Sequence, residues 1–165
     1  MNTIYNFSAG PAMLHPSVVK ATSDATVEFK DTGMSLMEMS HRSQPVVDMV
    51  IETEHLVRKL LKLTDDFRVL FLQGGASLQF CMIPMNLLRK DQTADYTNTG
   101  TWSQKAINEA KIYGNVNVVS SSKESNYTHI PKEFDQSDNA RYLHLTSNNT
   151  IYGTQWSSFP KPKNE

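Results

Sequence analysis

Gly74-Gly75-Ala76-Ser77 stands between a short apolar run, residues 67–72, and a mostly apolar segment, residues 78–88. The run has strand composition and the segment has helical length, so the local order reads strand, tight glycine turn, helix. Such a turn leaves backbone N–H groups free at a helix start, where the dipole also favours negative charge. An anion, most often a phosphate, can sit there. Ser77 can cap the helix or give its hydroxyl to the anion. The same glycines also serve as a plain connection. Trp102 offers a flat face to a flat ligand, or simply a core side chain. Thr150, after two asparagines, brings a hydroxyl in turn-forming sequence. His41-Arg42 precedes Pro45 on a loop. The guanidinium matches a carboxylate or phosphate with paired hydrogen bonds, or is merely solvated.

These groups need elements to hold them. Pro16 opens a helix with an apolar stripe of Val18, Val19, Thr22, Ala25 and Phe29, ended by Asp31-Thr32-Gly33. Residues 34–42 read as a half-buried irregular segment. Residues 46–63 give the clearest helix, with Val47, Val50, Ile51, Val57 and Leu61 near 3.6 spacing and basic residues at its end. Strands are expected at 67–72, 93–99, 115–120 and 141–146, with helices after the glycine turn, through Pro84 to residue 88, and over about 103–113. Residues 121–136 read as a surface connection and 159–165 as a polar tail. The expected fold class is therefore α/β with a mainly parallel sheet and helices on both faces. In such sheets ligands gather beyond the carboxyl ends of the strands. The glycine turn, Trp102 and Thr150 each follow an expected strand, so all three are expected on one rim. His41 and Arg42 cannot be placed by this reasoning.

The totals set limits. The chain has 165 residues, 39% hydrophobic and 20% charged, enough for one domain with a real core. A net charge of −1 gives no electrostatic case for nucleic acid or an anionic membrane. Cys81 is the single cysteine and reads as a buried thiol. No run approaches the roughly 18 apolar residues of a membrane span. The N-terminus lacks signal-peptide character, so a cytoplasmic protein is expected. No metal site is expected.

Five stretches then occur together in order: Asn6-Phe7-Ser8-Ala9-Gly10-Pro11-Ala12, Met37-Glu38-Met39-Ser40-His41-Arg42, Gly74-Gly75-Ala76-Ser77-Leu78-Gln79-Phe80, Gly100-Thr101-Trp102 and Ser147-Asn148-Asn149-Thr150-Ile151-Tyr152-Gly153. Together they closely resemble the phosphoserine aminotransferase family, class V and fold-type I, over essentially the whole chain. The resemblance implies pyridoxal 5'-phosphate as cofactor. Ala76 and Ser77 would hold its phosphate, Trp102 would stack on its ring, and Thr150 would bond near its phenolic oxygen or phosphate. Arg42, assisted by His41, would bind the distal anion of the substrate. That anion is a phosphate in phosphoserine and a carboxylate in glutamate, and one guanidinium accepts both. The implied reaction moves an amino group between L-glutamate and 3-phosphohydroxypyruvate to give O-phospho-L-serine in serine biosynthesis. Phosphohydroxythreonine as a related substrate stays open. Homodimers with shared sites are implied as well. Some relatives carry Arg at the position of Ser77, which would leave more of the anion binding here to Arg42.

The resemblance also implies residues that the chain does not contain. The aspartate facing the pyridine nitrogen and the Schiff-base lysine would lie beyond Glu165; Lys161 and Lys163 fall in the Pro-rich tail. The expected organisation is an N-terminal arm over 1–15 and an incomplete large, cofactor-binding domain over 16–165, without its remainder or the C-terminal small domain. The chain alone is expected to hold no catalytic residue and to be inactive. It is either a truncated fragment or one piece of a longer enzyme, cut near its exposed tail, with the C-terminal remainder as partner. The second is preferred, because an isolated part of an α/β sheet folds poorly. The alternative from another class is a non-catalytic phosphate- or nucleotide-binding α/β module. A purely structural fragment with no ligand is a third.

Overall fold

The computed structural model describes residues 4–163. They fall into two compact units, one reaching to Phe71 and the other starting at Leu72. The first three residues of the expected arm and the last two of the tail lie outside the described residues.

In the first unit, residues 4–15 are exposed and irregular, with a cis bond between Gly10 and Pro11. Helix α1, Pro16–Val27, begins on its proline, and His15 caps it by accepting the Ser17 N–H at 3.3 Å. It ends earlier than expected, because Glu28 already takes extended backbone with φ of −150° and ψ of 132°; Lys30 and Asp31 then follow in left-handed backbone with φ of 50° and 55°. Its Val18 and Val19 remain exposed, whereas Phe29, just past the helix, is buried. A 3-10 turn, Leu36–Glu38, follows behind a capping box between Ser35 and Glu38. Leu36 and Met39 are half-buried as expected, but Met34 and Met37 are exposed. Helix α2, Gln44–Leu61, starts two residues before the expected 46, since Pro45 is tolerated in a first turn. Near its end Arg58 donates to Glu54 at 3.1 Å, and to the carbonyls of Thr64 and Phe67 at 3.3 and 2.7 Å.

The expected strand at 67–72 does not form. A strand exists only through a partner. Here the Phe67 carbonyl is taken by Arg58, Leu70 stays exposed, and no described strand pairs with the run.

The second unit holds α3 (Gly75–Leu87), β1 (Thr93–Asn98), α4 (Thr101–Ala110), β2 (Asn115–Ser121) and β3 (Leu143–His144). The three strands form one parallel sheet in the order β2-β1-β3. The strand expected at 141–146 shrinks to β3, which pairs with β1 only at Asp95↔Leu143 and Tyr96↔His144. The turn sequence after it makes a small antiparallel hairpin, β4 (Asn148–Asn149) and β5 (Thr154–Gln155). The connection over 121–136 is mostly exposed but buries Ser122 and Tyr127. Gln136 ties down the tail, donating to the Lys161 carbonyl and accepting the Lys163 N–H.

Alternation along β1 decides both faces of the sheet. Ala94 and Tyr96 pack with Ala106, Ile107 and Ala110 of α4 and with Leu88. Asp95 points the other way and is fully buried. Its carboxylate accepts the Ser137 N–H at 2.6 Å, the Ser137 hydroxyl at 2.8 Å and Asn117 Nδ2 at 3.2 Å. The Tyr96 ring stacks on His144 with centroids 4.7 Å apart, and its hydroxyl meets that of Tyr142 at 2.8 Å. Burial holds the His144 imidazole well below the usual histidine range, at about 4.

Two outcomes follow from this packing. Asp95→Ala leaves the Ser137 N–H and hydroxyl without their acceptor, while exposed Asn117 keeps its bond to Ser137 Oγ at 2.9 Å; it should cost about 2 kcal/mol in urea unfolding, and a change within error would refute the carboxylate's anchoring role. An unfolded histidine binds its proton near about pH 6.5, whereas His144 in the fold does so only near 4. Between these values the unfolded state binds more protons, so the stability is whole above the upper value and is lost as pH falls towards the lower one. His144→Phe should remove that part of the slope, and parallel loss in both proteins between pH 7 and 5 would refute the assignment.

Candidate functional site

The start of α3 is set by Gly74, whose φ of +86° suits glycine and whose added Cβ would lie 2.5 Å from the Leu78 side chain. The first helical bond runs from the Leu78 N–H to the Gly74 carbonyl at 3.3 Å. The amides of Gly75, Ala76 and Ser77 are thus the unpaired donors of a helix start. Because Gly74 occupies the cap, Ser77 does not cap the helix, contrary to one of the two roles expected for it. It is the third residue of the helix, in its first turn, and is exposed.

The end of β1 turns into α4 through a buried knot. Ser103 Oγ accepts the N–H groups of Thr99 and Gly100, both at 2.9 Å. It lies 3.1 Å from Asn98 Oδ1 and 2.8 Å from the Gly100 carbonyl, either of which takes its proton. Asn149 joins the knot from the hairpin. Its side-chain oxygen accepts the Thr99 hydroxyl at 3.3 Å, and its amide donates to Thr154 Oγ1 at 3.2 Å. Gly100 leaves the room this needs, since a Cβ there would lie 2.8 Å from Asn149 Oδ1.

Across this knot Trp102 Nε1 donates to Thr150 Oγ1 at 3.1 Å, joining residues 48 positions apart. Thr150 Oγ accepts that bond, so its own proton is left to donate elsewhere. Lys105 Nζ lies 4.7 Å from the Trp102 ring centre. The glycine turn, Trp102 and Thr150 together line a cleft of about 500 Å³, with Phe80, His144 and Thr146 in its wall. Phe80 meets His144 edge to face at 6.4 Å. A second hollow of about 650 Å³, between residues 129–132 and 154–160, contains none of the expected site residues.

Four expected residues therefore share one cleft: Ala76, Ser77, Trp102 and Thr150. The reasoning behind that expectation held for only two of the three features, because no strand precedes the glycine turn. His41 and Arg42 belong to the first unit, on an exposed turn where the Arg42 N–H donates to Ser40 Oγ at 3.2 Å. Neither side chain has an ionic partner among the described residues. Sequence reasoning passed over Ser103, Asn149, His144 and Thr146. The first two have a local signal, a serine and an asparagine beside strand ends; the last two read only as alternate residues of a strand. Among the described residues no cluster of His, Cys, Asp and Glu could hold a metal, and no helix is long and apolar enough to cross a membrane.

Comparison with known proteins places the chain in a family. Residues 4–162 match the family model described as aminotransferase class-V. Phosphoserine aminotransferase of Desulfosudis oleivorans is 53% identical over 161 residues, covering 97% of this chain and 45% of that protein. The solved phosphoserine aminotransferase from Bacillus circulans subsp. alkalophilus has 48% identity and a TM-score of 0.90 over 97% of this chain and 45% of its own. The pyridoxal-phosphate-bound enzyme from Trichomonas vaginalis has 34% identity and a TM-score of 0.87, over 96% of this chain and 46% of its own. The chain thus spans about half the length of the relatives it matches. With a family match over residues 4–162 and a closely similar backbone in solved relatives, this chain belongs to the class-V aminotransferases.

Proposed function

We propose that this chain forms the cofactor-cradling part of a phosphoserine aminotransferase, which transfers an amino group between L-glutamate and 3-phosphohydroxypyruvate to give O-phospho-L-serine. The observation that carries this reading is the Trp102–Thr150 hydrogen bond beside the unpaired amides of the α3 start. The residues fit pyridoxal 5'-phosphate. The amides of Ala76 and Ser77 with the Ser77 hydroxyl would hold its phosphate, where the helix dipole favours an anion. Trp102, fixed in rotation by Thr150, would lie on its ring, and the remaining proton of Thr150 would go to its phenolic oxygen or phosphate. When bound, the cofactor supplies the electron sink for the chemistry. This chain's residues would orient it and exclude water from one side.

A bare phosphate-binding module has no use for a pinned indole beside the anion site, which favours the aminotransferase over that alternative. Arg42, with His41 beside it, would bind the phosphate or carboxylate end of the substrate, and its freedom from ion pairs supports that role. We further infer that residues from 16 onward belong to the large domain, preceded by the arm, and that the enzyme is a cytoplasmic homodimer completed by a C-terminal remainder.

Titrating purified protein with pyridoxal 5'-phosphate by tryptophan quenching tests this. Wild type should bind, Trp102→Ala and Thr150→Val should weaken binding by roughly tenfold, the effect of about 1.4 kcal/mol, and inorganic phosphate should compete. Equal affinity in all three proteins would leave only the bare module. Ser77→Arg should tighten binding of phosphate and cofactor alike, by adding a charge-assisted bond to the anion; no change would place the phosphate elsewhere. In the assembled enzyme Arg42→Ala should raise KM for phosphoserine and glutamate together, and an effect on one alone would refute a shared guanidinium.

A further inference from the structure

An indole held at one edge can still tilt about the bond that holds it. Trp102 is held at one edge, where its Nε1 donates to Thr150 Oγ1 at 3.1 Å. A second contact falls on its face. Lys105 Nζ lies over the ring, 4.7 Å from its centre. An ammonium is drawn to an aromatic face from within about 6 Å, and indole is the strongest of the aromatic partners.

Lys105 has another partner in its neighbourhood and does not take it. It is exposed, and Glu109 follows it by four residues on α4, a usual place for the ion-pair partner of a lysine. Among the described residues the ammonium nonetheless makes no ion pair, and the side chain turns back by three residues to the ring. The helix beneath it is fixed, because Ser103, Ala106 and Ile107 are buried. Trp102 belongs to the cleft wall with the glycine turn and Thr150, whereas Lys105 does not. The ammonium therefore covers the face of the indole turned from the cleft and leaves the other face to a ligand.

We propose that Lys105 is a positioning residue of this cleft, which acts through Trp102 by holding the indole plane from behind. The proposal rests on the cofactor reading given above. Thr150 fixes the edge of the ring and Lys105 fixes its tilt, so the indole is set in both respects before a ligand arrives. A flat ligand then need not order the ring as it binds, and that saving appears as affinity. Lys105 itself touches no ligand.

Two substitutions separate the charge on the ring from the bulk of the side chain. Lys105→Met keeps an unbranched chain and removes the charge; Lys105→Arg keeps the charge and stacks on an aromatic face. The readouts are the dissociation constant of pyridoxal 5'-phosphate by equilibrium dialysis, with and without Trp102→Ala, and the near-ultraviolet circular dichroism of the ligand-free proteins. Lys105→Met should bind the cofactor roughly threefold more weakly, the effect of one cation–π contact at an exposed site, and Lys105→Arg should bind as wild type does. In the Trp102→Ala background Lys105→Met should change nothing further. The indole band, identified by its loss in Trp102→Ala, should weaken in Lys105→Met and persist in Lys105→Arg. If wild type binds and Lys105→Met binds equally well, this inference is overturned and the cofactor reading stands. A loss that survives in the Trp102→Ala background, or an indole band unmoved in Lys105→Met, means that the charge does not act through the ring, and the inference is again overturned. If wild type shows no binding at all, both readings fall.

Discussion

Two backbone amides at the end of the central strand, those of Thr99 and Gly100, hold the second unit's site together. A strand that ends inside the protein leaves such groups without ladder partners, and buried amides must be paired. Ser103, fully buried, accepts both. That single oxygen fixes where β1 stops and α4 starts, and Trp102 lies inside the loop so formed. Asn149 enters the same knot from the hairpin through Thr99 and so sets Thr150 opposite Trp102. The cleft is a consequence of satisfying these groups.

The apolar core and the site stand on different sides of this knot. Ala94, Tyr96, Ala106, Ile107 and Ala110 make a small, tight contact between β1 and α4 with little room for change. The polar anchor of the opposite face is Asp95, whose three donors come from β2 and from Ser137. Between them they fix the strand that aims the site. The hairpin receives further support from Tyr152, whose ring packs 4.8 Å from that of Tyr127. Tyr127 holds left-handed backbone with φ of 58°, an uncommon state for an aromatic residue that persists only where packing requires it.

The first unit has another character. Its helices are amphipathic, yet Val50, Ile51, Leu56, Leu60 and Leu61 of α2 are exposed among the described residues. Arg58 takes up carbonyls after the helix, which keeps the chain from 62 to 67 ordered without a strand. On this unit lie His41 and Arg42, the pair for which the substrate's anionic end is proposed.

The sequence by itself determined what depends on neighbours a few residues away. Helix α2 is legible because its apolar residues repeat at the helical period and Pro45 suits a first turn. Strands β1 and β2 are legible through Thr93, Tyr96 and Thr97 and through Val116, Val118 and Val119, whose types suit a pleated surface, and the glycine turn because only glycine takes the Gly74 backbone without strain. Only the tertiary structure decided what depends on distant partners. Residues 67–72 have strand composition but no ladder, and residues 141–146 keep just the two positions that β1 can reach. Ser77 lost its capping role to Gly74, a choice made by backbone angle rather than side-chain type. Trp102 and Thr150 meet across 48 residues through the knot at Ser103 and Asn149, and nothing in either local sequence specifies that distance. Hydrogen bonds of the backbone within a helix are fixed by chain geometry, whereas those that build this cleft depend on which buried groups remain to be paired once the sheet has formed.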